Sequence, residues 1–192
     1  MSVHLRSLLW KANRWIQDYN CFPDSHNTWL SGNFAGNRTM SIENNKNAVV
    51  LIGLQGSGKS TFYNAFFQNY MHISLDELHT RNKEMNVIAE CLKDGTNFVI
   101  DNTNPTKSDR QRYIPVAKEN GYKVTGYYFA AKIADCIRRN GLREGKSRVP
   151  DKAILATYSR LEIPSYDEGF DELYYVTLEN DEFRIEEWKD EI

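Results

Sequence analysis

Cysteine is scarce in this chain of 192 residues. The three that occur, Cys21, Cys91 and Cys136, are an odd number and show neither a CxxC pair nor the Cys/His spacing of a zinc site. Disulfide-rich domains and structural zinc sites depend on such patterns. We therefore expect reduced thiols, no structural zinc, and a protein of the cytoplasm, or of the nucleus in a eukaryote.

Long apolar runs are also lacking. No segment approaches the roughly 20 consecutive apolar residues that a membrane-spanning helix needs. Residues 1–6 begin an amphipathic stretch and not the continuous apolar core of a signal peptide. The sequence thus predicts neither export nor contact with a membrane.

Charge of one sign is not in excess, since the formal net charge is −2. Its distribution is nevertheless uneven. Residues 167–192 hold eleven acidic and two basic residues, a net −9, while residues 1–166 hold 22 basic and 15 acidic residues, a net +7. Association with an anion depends on the local field. The total charge therefore neither excludes nor establishes a phosphate-bearing partner.

Strand and helix patterns alternate after residue 47. Short apolar runs predict strands at 48–52, 72–74, 97–101, 123–130 and 173–178. Helical spacing of apolar residues predicts helices at 61–70, 82–93, 107–120, 133–140 and 151–162. This alternation predicts an α/β fold of three layers, α/β/α, with a mostly parallel central sheet. Residues 1–47 are expected to add an amphipathic helix and a loop packed on the core domain, 48–192.

A phosphate-binding pattern, GxxxxGK[ST], follows the first predicted strand directly and precedes a predicted helix. Glycines let backbone N–H groups surround an anion, and the helix N-terminus adds positive charge. Lys59 would neutralise the β- and γ-phosphates of ATP, and the Ser60 hydroxyl would bind Mg²⁺. The fold is therefore expected to be of the P-loop NTPase type. The predicted nucleotide-binding residues of this loop are Gly53, Gly56, Ser57, Gly58, Lys59, Ser60 and Thr61.

Two aspartates follow predicted strands at the edge where ligands gather in parallel sheets. Asp76 comes just after the strand 72–74, and it could either accept the proton of an attacking hydroxyl or cap a helix that starts near Glu77. These residues alone leave both alternatives open. Asp101 ends the strand 97–101 at a Walker-B-like position, where it could support Mg²⁺ or orient a base. Asp101 begins the run 101–105, which is more polar than a turn alone would require. This polarity favours a role in a site.

A basic segment with two glycines lies between two predicted helices. Arginine-bearing segments of this kind close as a lid over a transferring phosphoryl group. A solvated basic loop is the alternative, but the position late in an alternating chain favours a lid at about 138–150. Its basic residues are Arg138, Arg139, Arg143, Lys146, Arg148 and Lys152.

Together these segments resemble the 5′-hydroxyl polynucleotide kinase family, the kinase half of the polynucleotide kinase/phosphatases. The resemblance runs from about Ala48 to Leu178, and the Asp-Asn-Thr-Asn-Pro run with a downstream Arg-Tyr is more specific than the P-loop. The motifs that carry it are the P-loop, the Asp76 segment, 99–105, 110–113, Arg139-Asn140, Arg143-Glu144, Val149-Pro150, Ile163-Pro164 and 168–170. The resemblance implies a kinase that uses ATP and Mg²⁺ and phosphorylates the 5′-hydroxyl end of DNA or RNA.

The resemblance also implies roles for single residues. Asp76 would be the general base and Arg143 the lid arginine on the transferring phosphate, with Arg139 assisting at the nucleotide. The acceptor side would be organised by Asp101, Thr103 and Asn104, and the metal would be held by Ser60 and Asp101.

Departures from the family pattern concern the grip on the acceptor. Leu75 occupies a position where family members commonly have arginine. His79 occupies the position of a phosphate-gripping arginine in the bacteriophage type, and Arg81 is the candidate to replace it. A small-metabolite or nucleoside kinase, or a non-catalytic nucleotide-binding module, therefore remains an alternative. No DxDGT segment is present, so we expect no phosphatase of the haloacid dehalogenase type within these residues.

Overall fold

The computed structural model of the protein describes residues 46–179 and 182–189. The helix and loop predicted for residues 1–47 lie outside the described part of the chain except for residues 46 and 47, and Asn47 already begins the first strand. The described residues belong to one compact unit, 44–192. No helix among them is both long and apolar enough to cross a bilayer.

Six strands and seven helices alternate along the described residues. The strands are β1 (Asn47–Ile52), β2 (Met71–Ile73), β3 (Phe98–Ile100), β4 (Lys123–Phe129), β5 (Glu172–Glu179) and β6 (Glu182–Glu187). The helices are α1 (Lys59–Phe66), α2 (Leu75–Leu78), α3 (Arg81–Asp94), α4 (Lys107–Arg110), α5 (Ile114–Glu119), α6 (Ile133–Gly141) and α7 (Asp151–Tyr158). Short 3₁₀ turns form at Gly145–Ser147 and Tyr166–Glu168.

The strands form a single sheet in the order β2-β3-β1-β4-β5-β6. All pairs from β2 to β5 are parallel, and β6 pairs antiparallel with β5 at the edge. The predicted α/β fold with a mostly parallel sheet is thus confirmed. The expectation that strand 173–178 is the last one is wrong. Acidic residues dominate β6, although Phe183 and Ile185 alternate along it in the way a strand requires.

Helices cover both faces of the sheet, as the contacts of β1 show. Ala48, Val50 and Ile52 pack in a core cluster with residues of α3 and α5. Val49 and Leu51 point to the opposite face, where they pack in a cluster with Phe62 of α1. Successive side chains of a strand alternate between faces, so a continuously apolar strand such as this one needs helices on both sides. The result is three layers.

Helix boundaries follow local chemistry. The Thr80 side chain accepts the N–H of Lys83 and starts α3, which ends at Gly95 with φ 71°. The helix predicted over 107–120 is instead divided into α4 and α5. Pro115 lacks the N–H that a continuous helix would bond to the carbonyl of Gln111, which explains the break.

Candidate active site

The loop between β1 and α1 wraps closely because its three glycines, Gly53, Gly56 and Gly58, have positive φ. Gly56 has φ 77°, and a Cβ there would lie 2.6 Å from the carbonyl oxygen of Cys136 in α6. Gly58, with φ 107°, is the N-cap of α1. Only glycine combines this backbone with such a close approach. The predicted phosphate loop therefore has both the curvature and the helix N-terminus that bind an anion.

Lys59 lies inside this loop with 8% of its surface exposed. Its Nζ donates to the carbonyl oxygens of Gly53 at 3.0 Å and Leu54 at 2.7 Å. Burial lowers the pKa of Lys59 to about 8, although the nearby Asp101 carboxylate opposes this shift. An anionic partner such as a phosphate would stabilise the charged form of this buried ammonium group.

Ser60 and Asp101 meet at the carboxyl ends of β1 and β3. Ser60 Oγ donates to Asp101 Oδ2 at 2.6 Å, and His72 Nε2 lies 3.1 Å from the same oxygen. Burial raises the pKa of Asp101, but the hydrogen bonds from His72 and Ser60 outweigh it and hold the pKa below its usual value. A hydroxyl and an ionised carboxylate beside a phosphate loop fit Mg²⁺, which takes few protein ligands. The described residues contain no cluster of three or more His, Cys, Asp or Glu suited to a metal.

His72 was not identified from the sequence. Its Nδ1 lies 3.2 Å from Glu77 Oε1, and its ring stacks on Tyr63 with the centroids 4.1 Å apart. The hydrogen bond to Asp101 is the main cause that raises the pKa of His72. The ring thus connects Asp101 with α2, the helix that carries Asp76.

Asp76 is exposed in the first turn of α2. The N-cap of that helix is Ser74, whose Oγ accepts the Asp76 N–H at 3.3 Å. The alternative in which Asp76 is merely a helix cap is therefore wrong. The Asp76 carboxylate raises the pKa of Lys59 and the Arg143 guanidinium lowers it, so both charges act on the lysine in the phosphate loop.

Thr103 and Asn104 form hydrogen bonds with the phosphate loop and with the end of β1. The Thr103 carbonyl accepts the N–H of Gly53 at 3.0 Å. Asn104 is 1% exposed, has φ 45°, and donates from Nδ2 to the Leu51 carbonyl at 2.8 Å. These contacts are made with the loop and the end of β1. Thr103 makes its contact through the backbone, and the Asn104 side chain lies beneath the surface.

The two candidates for a substrate grip differ in environment. His79 is exposed at the end of α2 with φ 65°. Arg81 pairs with Glu84 at 2.8 Å, and 39% of its side chain is exposed. The structure thus brings Arg81 into an internal ion pair.

Arg110, part of a motif on which the resemblance rests, is completely buried. Its guanidinium forms two bonds of 2.6 Å with Glu168, and its Nη1 donates to the carbonyl oxygens of Asn104 and Pro105 at 3.1 and 3.2 Å. This ion pair joins the polar 101–105 run to the 163–170 segment. Both motifs therefore have a structural role around the site.

Hydrogen bonds fix both ends of the segment predicted to be a lid. Arg139 Nε donates to the Gly56 carbonyl at 2.7 Å, against the phosphate loop. Buried Asn140 exchanges two hydrogen bonds with the backbone of Val149, at 2.7 and 3.1 Å. Between these ends Arg143 is exposed, with a 3.5 Å bond to the Ser147 carbonyl. Such an arrangement leaves Arg143 available to an incoming phosphate.

Comparisons with known proteins agree with this geometry. A sequence model described as an AAA domain matches residues 83–164. Two relatives carry the name bifunctional polynucleotide phosphatase/kinase, one of them provisionally. The protein of Acanthamoeba polyphaga mimivirus is 31% identical over 154 residues, 75% of this chain and 37% of its own. That of Schizosaccharomyces pombe is 31% identical over 128 residues, 64% of this chain and 31% of its own.

This chain therefore spans about a third of the length of those relatives. Among solved structures, a gluconokinase from Sinorhizobium meliloti 1021 superposes with a TM-score of 0.50 at 18% identity, over 69% of this chain and 82% of that one. That likeness concerns the fold, which is of the P-loop NTPase type.

Proposed function

This chain is a P-loop α/β protein similar to the bifunctional polynucleotide phosphatase/kinases, and we propose that it transfers the γ-phosphate of ATP to the 5′-hydroxyl end of DNA or RNA. One observation carries the proposal. The exposed carboxylate of Asp76 follows β2, and β2 pairs with β3, which leads to the Asp101 carboxylate that accepts a hydrogen bond from Ser60 of the phosphate loop. We infer that Asp76, Lys59 and Arg143 act there as the base, the phosphate-binding lysine and the lid cation that phosphoryl transfer requires.

The proposed mechanism assigns each residue a task. Asp76 accepts the proton of the 5′-hydroxyl as that oxygen attacks. Lys59 and Arg143 offset the negative charge on the transferring phosphoryl group. Ser60 and Asp101 would hold Mg²⁺, which neutralises phosphate charge when bound. Arg139, held against Gly56, supports the phosphate loop from the lid side.

A transfer assay with γ-labelled ATP tests this proposal directly. The acceptors are a 5′-hydroxyl oligonucleotide, the same oligonucleotide already 5′-phosphorylated, and a panel of nucleosides and sugars. We expect label on the 5′-hydroxyl oligonucleotide alone. Label on a small acceptor alone would favour a metabolite kinase, and no transfer to any acceptor would favour a nucleotide-binding module.

One observation favours the alternative of a kinase that acts on a small metabolite. Leu75 offers no charge beside Asp76, and Arg81 is engaged by Glu84, so few free cations adjoin the candidate base. A polynucleotide should bind less tightly as salt rises, because its binding releases counterions. An acceptor whose affinity is indifferent to salt would favour the metabolite reaction.

A further inference from the structure

Asn102 lies between the buried core and the helix that carries Asp76. Its Oδ1 accepts the backbone N–H of Leu75, the residue before Asp76, at 2.9 Å. Its Nδ2 donates to Oε1 of Glu84 in α3 at 2.6 Å. We propose that Asn102 is a positioning residue that fixes Asp76 for proton transfer and that Glu84 sets its orientation. The inference rests on the proposed function.

Glu84 is held rigidly, although it is a carboxylate with no exposed surface. Arg81 Nη1 donates to its two oxygens at 3.1 and 2.8 Å, and the hydroxyl of Tyr113 lies 3.2 Å from both. A buried charge persists only when donors surround it in this way. Glu84 is therefore a fixed acceptor from which the position of Asn102 can be set.

The polarity of these groups permits a single orientation of the amide. An ionised carboxylate only accepts hydrogen bonds, so the side of Asn102 that faces Glu84 must be the NH₂ group. The carbonyl side then faces α2, where the Leu75 N–H is a donor at the N-terminus of a helix. In a flipped amide, the carbonyl oxygen would face the Glu84 carboxylate, and the NH₂ group would face the Leu75 N–H. The buried Glu84 carboxylate thus determines that Oδ1 is the Asn102 atom that bonds to α2.

The same stretch of chain also serves the phosphate side. Asp101 donates its N–H to the Ile73 carbonyl at 2.9 Å, which extends the pairing of β2 with β3, and it contacts Ser60 through its carboxylate. Its neighbour Asn102 contacts α2. Two consecutive residues therefore set the distance between the phosphate loop and the candidate base. Small errors in such distances have large effects on transfer rates.

The first test is Asn102→Asp, which keeps the shape but sets a second carboxylate against Glu84. We expect kcat for the 5′-hydroxyl oligonucleotide to fall about 100-fold while KM for ATP changes less than about threefold. Asn86→Asp makes the same chemical change at an exposed position of α3 and should retain wild-type kcat. Asn102→Ala, which removes both bonds and adds no charge, should show the same loss of kcat if Asn102→Asp proves too unstable to assay.

The decisive variant combines Asn102→Asp with Glu84→Gln. The amide and the carboxylate then exchange places, so the glutamine NH₂ can donate to the new carboxylate, which still accepts the Leu75 N–H. We expect the pair to recover at least about tenfold of the kcat lost in Asn102→Asp, because the two changes compensate only if the groups are in contact. A double variant no faster than Asn102→Asp overturns the proposal.

Amide hydrogen exchange distinguishes a failure of the positioning role from a failure of the proposed function. Exchange over residues 74–78 should be faster in Asn102→Asp than in the wild type and should return toward the wild-type rate in the double variant. Unchanged exchange, or an unchanged kcat, in Asn102→Asp overturns the positioning role. A wild-type chain that labels no 5′-hydroxyl oligonucleotide overturns the proposed function instead, whatever the exchange rates show.

Discussion

At the scale of single residues, Asp76 is the sharpest test of the chemistry. It is exposed, it is not a helix cap, and its charge reaches Lys59. We expect Asp76→Asn to lower kcat for oligonucleotide phosphorylation by about 10²- to 10⁴-fold, the usual contribution of a general base. The dissociation constant for ATP should be unchanged in equilibrium titration. Asp94→Asn, at an exposed position of α3, is the matched control, and a near-normal rate in Asp76→Asn would refute the assignment.

The pKa of Lys59 leads to a prediction about nucleotide binding. In the folded protein that pKa is lowered to about 8, so the charged form is dominant below pH 8 and is lost as the pH rises further. Since the ammonium attracts phosphates, ATP should bind more weakly at pH 9 than at pH 7, with a limiting slope of about tenfold per pH unit. Calorimetric titration across this range measures the effect. Lys59→Met should bind weakly at every pH, and a wild-type affinity flat from pH 7 to 9 would contradict the prediction.

Arg143 should matter for catalysis and little for stability, because its side chain is exposed and makes one long hydrogen bond. We expect Arg143→Ala to lower kcat about 10²- to 10³-fold, as does the loss of other groups that stabilise transition-state charge. The melting temperature should stay at the wild-type value. Arg148→Ala, in the same lid segment, is the comparison, and equal losses in both variants would indicate that only the overall charge of the lid counts.

At the scale of elements, the buried pair of Arg110 and Glu168 joins two segments of the chain, and its two residues lie 58 positions apart in the sequence. Glu168→Gln would leave the Arg110 charge without its partner, and we expect the free energy of unfolding to fall by about 3–5 kcal/mol. The surface pair of Lys123 and Glu172 is the control, and Glu172→Gln should cost no more than about 1 kcal/mol. Chemical denaturation measures both. Equal costs would show that the Arg110 pair is not an anchor.

The sequence predicts well those features whose residues are adjacent along the chain. The apolar run of β1 and the glycine pattern that follows it lie within fifteen residues, and both the strand and the loop were predicted correctly. The strand β6 was missed because its alternation of Phe183 and Ile185 is embedded in acidic residues. The motifs also predicted the relationship to the polynucleotide phosphatase/kinases that two relatives confirm.

What the sequence does not predict depends on segments that meet only in the fold. His72, Glu84 and Asn102 belong to three elements or loops. His72 and Glu84 match no local pattern, and Asn102 is marked in the sequence only as one member of the run 101–105. Their importance follows from three contacts between distant segments: His72 with Asp101, Asn102 with Leu75, and Glu84 with Asn102. The first two join β2 and the helix after it to the end of β3, its neighbour in the sheet. Similarly, the sequence marks Arg110 only as part of a motif, and its burial against Glu168 shows a structural role.

At the scale of the whole molecule, the sheet gathers the site at one edge. The carboxyl ends of β1, β2 and β3 lead to the phosphate loop, Asp76 and Asp101, respectively, and these strands are neighbours. The residues proposed to bind the phosphate donor and the acceptor therefore lie on adjacent loops, as expected at this edge of a parallel sheet. The segment proposed as a lid begins in α6, which follows β4 on the other side of β1.

The antiparallel strand β6 has a practical consequence for anyone who shortens this chain. Phe183 packs on Phe62 with the ring centroids 5.1 Å apart, and a Cβ on Gly58 would lie 3.3 Å from the Phe183 ring. A boundary placed at Leu178, where the family resemblance ends, would strip the hydrophobic cover from the first turns of α1. The shortest fragment that keeps this packing must therefore extend past every recognisable motif, into residues whose composition is typical of a dispensable acidic tail.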